Sequence, residues 1–401
     1  MYVTRRLSLY LKDEAAVSVP PPEGPNSGVL VNSDEEAENG FGLRRDDRIR
    51  NLPLPQNKDL TVFATDESTN RVMFIPVLNQ PLSANRYYVI FTQGWEEGKA
   101  ATSSKEDDKI TCCWGSCIQD ATPCDLDPFN VYQQFELIKK PRDRFEAKSV
   151  AEDGFPPIFL RGDWRLCNNI PHHPLSEQAF GLDSSLRSLL PDFDFSSNLD
   201  RSQQVLVGKW YCPAMLVKNH GIKRSSKGMS NDKSLFYEMT LEQRWERVFC
   251  KENNNVGNNT LEKEVVMEVE VVNTESAKIG GTKDASWSTD KDLRDTGFMW
   301  FTTHDGNNKK EKKKEEKVGL NMAIVERMKW EQERVGWVSG NQKIQRVVKE
   351  FEDNNNYNSG KMWRKFTCYV LVESFVLKTM EASLVITFDY KHAHQIRYKW
   401  D

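Results

Sequence analysis

Apolar positions along this chain recur mostly with a period of two, or in short unbroken runs, which is the pattern of strands rather than of helices. In residues 264–272, Val265, Met267, Val269 and Val271 alternate with Glu264, Glu268 and Glu270, as expected for a half-buried strand. The end of the chain carries a longer alternation. Leu384, Ile386, Phe388, Tyr390, His392, His394, Ile396, Tyr398 and Trp400 occupy one phase, and Thr387, Asp389, Lys391, Gln395, Arg397 and Lys399 the other. One strand of that length would run about 55 Å at 3.3 Å per residue, so it must bend or bulge. Residues 363–377 read as its antiparallel partner across a turn at 379–382, and residues 384–400 are expected to keep one phase on one face.

Earlier in the chain, residues 60–64, 71–78 and 86–91 are strand-like runs rich in Val, Ile, Phe and Tyr, with a loop at 79–85. Pro20-Pro21-Pro22-Glu23-Gly24-Pro25 cannot continue a helix and reads as a stiff connector ahead of the apolar Gly28-Val29-Leu30-Val31. Ser33 followed by Asp34, Glu35 and Glu36 has the form of a helix start. Residues 184–190 read as one helical turn within a proline-broken middle section. The expected fold is mostly β, α+β with few short helices, as two β-rich lobes of antiparallel strands ending in a long C-terminal hairpin. The lobes are expected at 1–200, with its Pro-rich opening segment, and at 201–401, with polar loop inserts around 253–255, 309–317 and 353–358.

The 401 residues are 38% hydrophobic and 28% charged, enough apolar material for a packed core. The 55 basic and 59 acidic residues give a net charge of −4, which removes the net-charge argument for wrapping nucleic acid, and no nucleic-acid partner is expected. The lysine-rich 309–317 is broken by glutamates and reads as a solvated loop. No run approaches the eighteen or so apolar residues of a membrane helix, so no transmembrane segment is expected. The opening Met1-Tyr2-Val3-Thr4-Arg5-Arg6-Leu7 meets charge at Lys12 without a cleavage signal and reads as structural. Eight sparse cysteines are expected to be thiols, placing the chain in the cytoplasm or the nucleus.

Catalytic motifs fail one by one. Gly94-Trp95-Glu96-Glu97-Gly98-Lys99-Ala100 is one residue short of a phosphate loop, lacks its hydroxyl and puts carboxylates where phosphate would lie. Gly40-Phe41-Gly42 has Arg45 at the third glycine of a dinucleotide fingerprint. Asp192-Phe193-Asp194 opens like a calcium loop, but Ser197 and Gln203 occupy its glycine and bidentate-acid positions. Ser230-Asn231-Asp232-Lys233 sits in a polar loop.

Two clusters could hold a metal, though none is expected, and no cofactor is implied. Cys112, Cys113, Cys117 and Cys124 fall within thirteen residues, but their spacing fits no usual knuckle, and buried or incidental thiols are the expected reading. His392 and His394 lie two apart on the last strand, so both imidazoles would face one side. His304, Glu373 or Asp389 would have to supply a third ligand, and packed histidines are expected instead. Eleven tryptophans are expected mainly in the core, with an exposed aromatic groove as the alternative.

The opening Met1-Tyr2-Val3-Thr4-Arg5, Leu7-Ser8-Leu9-Tyr10 and residues 20–28 resemble a plant family catalogued as domain of unknown function 1262. Residues 54–62, 85–90, 208–213 and 236–246 resemble it too, as do 325–330 and 392–397, so the resemblance runs through the whole chain. It implies a plant protein with no agreed activity or catalytic residues, in a stress or defence setting. The expected function is a non-enzymatic binding or interaction protein whose aromatic surface takes a protein partner or an apolar small molecule. An enzyme built on the histidine pair and a membrane-associated defence protein are the alternatives.

Overall fold

The computed structural model describes residues 1–38, 47–64, 68–106, 109–112, 115–172, 175, 179–220, 235–253, 266–287, 297–303, 316–338, 343–349 and 363–401. The chain opens with β1 (Tyr2–Arg6), α1 (Leu7–Lys12), β2 (Gly28–Asn32) and α2 (Glu35–Glu38). It continues through β3 (Arg48–Ile49), β4 (Lys58–Phe63), β5 (Thr69–Pro76), β6 (Arg86–Phe91), β7 (Ser104–Lys105), β8 (Lys109–Cys112) and β9 (Gly115–Ile118). Next come β10 (Gln134–Lys140), β11 (Arg144–Ser149), β12 (Gly154–Phe155), β13 (Arg165–His172), β14 (Gly181–Leu182), α3 (Ser184–Leu189), β15 (Val205–Pro213) and β16 (Val217–His220). The remainder is β17 (Phe236–Glu252), β18 (Val266–Val272), β19 (Thr274–Ile279), β20 (Lys283–Trp287), β21 (Phe298–Thr303), β22 (Lys317–Asn321), α4 (Met322–Glu333), β23 (Lys343–Lys349), β24 (Lys365–Thr379) and β25 (Leu384–Trp400).

The fold is mostly β, with large antiparallel sheets. Among the described residues, seven strands form one sheet in the order β11-β10-β6-β5-β4-β13-β3. A twelve-stranded sheet runs β16-β22-β21-β20-β19-β25-β24-β17-β15-β1-β2, with β14 alongside β15. Its one parallel pair among the described strands is β1 with β2. The smaller sheet comes wholly from residues 48–172, whereas the larger one takes β1 and β2 from the start of the chain and the rest from beyond residue 180.

The unbroken apolar runs of the first half follow from a sheet covered on both faces. On β5 and β6, Met73, Ile75, Tyr88 and Ile90 pack into the core shared with the larger sheet. Their alternates Val72, Phe74, Tyr87 and Val89 pack into a second core with Trp164 and Phe145. Asn79 and Asn85 turn the loop between these strands in the left-handed region (φ 62 and 52°), which asparagine tolerates better than most residues.

The C-terminal hairpin occurs as expected, β24 pairing along β25 and, on its other edge, along β17. Its face assignment needs correction. Leu371 pairs with His392 and Val370 with Ile396, so Ala393, His394 and Gln395 bulge out of register. An odd number of extra residues exchanges the two faces of a strand. Before the bulge, Ile386, Phe388 and Tyr390 enter the main core. After it, Ile396 and Trp400 turn to the opposite face, against Phe366 and the β18 side chains Met267 and Val269. Arg397 and Lys399 then cover Trp245, Phe193 and Phe195 on the first face.

α4 is a helix that periodicity does not reveal. Its buried residues include Ala323, Ile324, Val325 and Met328 but also Arg327, Glu331 and Gln332, so no clean apolar stripe marks it. The inserts at 309–315 and 353–358 lie outside the described residues, as do residues 40–42 and 230–233.

Candidate functional site

The long hairpin carries a carboxylate at mid-length, on the face where apolar packing is interrupted. Along β24, Tyr369 and Leu371 belong to one apolar cluster and Phe375 and Leu377 to another, with Glu373 between them on the same face. Pairing sets Gln243 of β17 directly beside Glu373, and Leu371 beside His392 of β25. α3 lies over this point. Asp183 caps it, its Oδ1 accepting from Leu186 N at 2.9 Å, and one turn later the helix delivers Arg187 to the carboxylate.

Every neighbour that binds Glu373 is a donor. Arg187 Nε donates to Oε1 at 2.8 Å, and its Nη2 donates to Oε2. Gln243 Nε2 donates to Oε1 at 2.8 Å and Gln332 Nε2, from α4, to Oε2 at 2.9 Å. Arg187 also donates from Nη1 to Glu331 Oε2 at 3.2 Å, and Arg327 Nη2 donates to Glu331 Oε1 at 2.7 Å. The result is a buried Arg–Glu–Arg–Glu chain, with Arg187, Glu331, Glu373 and Arg327 all at or below 5% exposure. Burial alone would raise the Glu373 pKa, but His392 and Arg187 beside it hold the carboxyl well below the usual carboxylate range.

His392 is the exception to this pairing. Its Nε2 stands 3.6 Å from Glu373 Oε2, near enough to feel the charge and too far for a hydrogen bond. Both ring nitrogens, and Gln243 Oε1, are buried without a hydrogen-bond partner among the described residues. His392 and Gln243, the residues that carry these atoms, are among those lining a cavity of about 330 Å³ whose walls include Leu182, Leu190, Val335 and Leu371 and whose rim includes Ser188 and His394.

The two histidines expected to share a face do come together, their ring centroids 5.4 Å apart at 74°. They do so differently from an ideal strand: His392 is buried, while His394 sits in the bulge and is exposed. Burial and the neighbouring His392 lower the His394 pKa, against the opposing pull of the Val335 carbonyl and Glu373. Glu373, one of the three candidates for a third ligand, is occupied by Arg187. Asp389 lies on the other face, held by Arg244 Nη2 at 3.1 Å and Ser374 Oγ at 2.5 Å. His304 lies outside the described residues.

Among the cysteines, Cys112 and Cys117 belong to the β8–β9 pair, but their side chains, like Cys113, lie outside the described residues. Cys124 is exposed, with Gln133 Nε2 3.1 Å from its Sγ. Among the described residues no three His, Cys, Asp or Glu side chains are arranged to hold a metal ion. The tryptophans are mostly core: Trp164, Trp210, Trp245, Trp300, Trp337 and Trp363 are buried, and Trp95 is an exposed exception.

The N-terminal segment completes the arginine chain from the other side. Arg327 Nη1 donates to Ser27 Oγ, and Glu23 lies 3.6 Å from Arg334. Arg327 and Arg334 stack on Trp330 at 5.1 and 4.8 Å. Residues 23–114 match the model of a family described as "Protein of unknown function (DUF1262)". That matched stretch brings Glu23, Gly24 and Ser27 to the site and carries the strands from β2 to β8, whereas Arg187, Gln243, Glu373 and His392 lie beyond it. No curated protein matches the chain. A solved structure, "Crystal structure of Cry35Ab1", aligns with a TM-score of 0.42 at 10% identity, over 86% of this chain and 90% of that one. No helix among the described residues is long and apolar enough to cross a membrane.

Proposed function

We propose that this chain is a non-enzymatic binding protein that takes a small molecule into the cavity beneath α3. One observation carries the reading: His392 Nδ1 and Nε2 and Gln243 Oε1, on two side chains that line the cavity, are buried with no hydrogen-bond partner among the described residues. Each such group costs about 1–3 kcal/mol to leave unsatisfied, and buried polar groups in native proteins overwhelmingly have partners. A ligand with an N–H or O–H for Gln243 Oε1 and a polar atom for the imidazole would satisfy them, its apolar body resting on Leu182, Leu190, Val335 and Leu371. This shifts the reading from an aromatic surface to a cavity, because six of the tryptophans, Trp164, Trp210, Trp245, Trp300, Trp337 and Trp363, are buried in the core. The cytoplasmic or nuclear location, and the stress or defence setting implied by the family resemblance, belong to the same proposal.

The test is saturation-transfer NMR of a library of small neutral amides, alcohols and heterocycles against the wild type, His392→Leu and Ser188→Trp, the last blocking the exposed rim. Hits that vanish in both folded variants support the reading. Hits untouched by either, or no hits at all, sink it. A second reading, catalysis with His392 as a general base oriented by Glu373, is favoured by their 3.6 Å approach. Turnover of any hit by the wild type, abolished in His392→Asn, would put that reading in its place.

A further inference from the structure

A second hollow adjoins the first, sharing Leu182, Ser184 and Arg334 with it, and the Arg187–Glu331 pair stands between the two. It encloses about 350 Å³ between α4, β1 and the connector that follows α1. Its lining holds three arginines, Arg5, Arg327 and Arg334, against two carboxylates, Glu23 and Glu331. Neither carboxylate neutralises the set. Glu331 is shared with Arg187 as well, and Glu23 is 79% exposed on the rim.

The arginines have donors to spare. Arg5 gives one hydrogen bond, from Nη1 to the neighbouring Thr4 carbonyl at 2.8 Å, and has no carboxylate partner among the described residues. Arg327 is buried, and its Nε finds no acceptor among the described residues. The lining also has open apolar side chains: Leu9, Val19 and Phe180 are 43, 61 and 47% exposed. Large apolar side chains left uncovered in a hollow lined by arginines are suited to an occupant that is apolar along its body and anionic at its head.

We propose that this hollow is a binding site for an organic monocarboxylate with an apolar body. The carboxylate accepts from Arg5 and Arg334, and from Arg327 where it reaches the buried Nε, in the planar geometry that guanidinium groups offer such heads. The hydrocarbon lies on Leu9, Val19 and Phe180. One surplus positive charge matches a monoanion, and the half-apolar lining disfavours a strongly hydrated dianion such as phosphate. The proposal goes beyond the cavity beneath α3: Arg334 borders both hollows, but Arg5 and Arg327 line only this one.

Isothermal titration with octanoate tests it, with octanol as the body without the charge and acetate as the charge without the body. Octanoate should bind at least about tenfold more tightly than either. Arg5→Gln and Arg334→Gln, both at accessible positions, should each weaken octanoate by about fivefold or more while leaving the thermal midpoint in place. The same titration on His392→Leu separates the two sites, and unchanged octanoate affinity is expected. Octanol binding as tightly as octanoate, octanoate indifferent to both arginine variants, no binding to the folded wild type, or a loss in His392→Leu matching that in Arg5→Gln would each overturn the assignment.

Discussion

Replacing Glu373 by glutamine removes one charge and almost no volume, so its cost measures how the buried cluster is held. Each oxygen of Glu373 accepts from two donors, Arg187 Nε and Gln243 Nε2 on one, Arg187 Nη2 and Gln332 Nε2 on the other. A glutamine must therefore aim its own N–H groups at donors whichever way it turns. Arg187 keeps only Glu331 as a counter-charge. The gross attraction at 2.8 Å is about 6 kcal/mol at an effective dielectric near 20, and breaking a buried pair in this way costs about 3–5 kcal/mol net. The expected loss is at the lower end, about 3 kcal/mol, because Glu331 remains. Urea denaturation of the wild type, Glu373→Gln, Arg187→Met and the double variant Arg187→Met/Glu373→Leu measures it. The double variant should cost less than the sum of the single changes by about 2 kcal/mol or more, since no uncompensated charge is left at this pair. A Glu373→Gln loss under about 1 kcal/mol, or strict additivity in the double variant, would refute the idea that this cluster is held as a charge-matched unit.

Stability should also follow pH through this site. The folded Glu373 pKa is depressed, so its contribution is present above the unfolded carboxylate value of about 4.3 and is lost as pH falls below it. Denaturation at pH 3 to 5 should show the wild type losing stability more steeply than Glu373→Gln, and parallel curves would count against the assignment. The His394 pKa is lowered too, so the unfolded chain takes up its proton first, and His394→Asn should flatten the slope around pH 6.5. Gly24 takes φ +112°, and an added Cβ would lie 2.5 Å from Arg327 Nη1 and 2.6 Å from Trp330 Cζ3. Gly24→Ala should therefore cost about 1–3 kcal/mol more than Gly98→Ala, where φ is +84° but nothing lies within 4 Å. Equal losses would show that backbone strain alone is being measured.

The strands were legible because their side chains face a core. The 17-residue alternation from Leu384 to Trp400 and its partner strand could be read directly, and β5 and β6 showed themselves as unbroken apolar runs. The bulge at 393–395 could not, because Ala393-His394-Gln395 keeps the apparent period while the pairing skips it. His392 could be singled out as a metal ligand or as half of an enzyme's histidine pair, and Glu373 as a third metal ligand, but not the buried charge cluster around them. The arginine that binds Glu373, Arg187, and the Glu331 and Arg327 linked to it are charges on helices, which read by default as solvated surface. The same inversion hid α4, whose inward face mixes aliphatic residues with an arginine and a glutamate. A signal was present in Arg327 and Glu331, an i, i+4 pair flanking Met328 and Trp330, but on an isolated helix that spacing is equally well satisfied in water.

The most direct test of the central claim is a crystallographic fragment screen on the whole chain, since it asks the cavity beneath α3 what it holds. The account expects bound fragments inside that cavity, with a polar atom within about 3.2 Å of His392 Nδ1 or Nε2, or of Gln243 Oε1. Fragments that settle elsewhere while this cavity stays empty, or an intramolecular partner found on all three of those atoms, would contradict it.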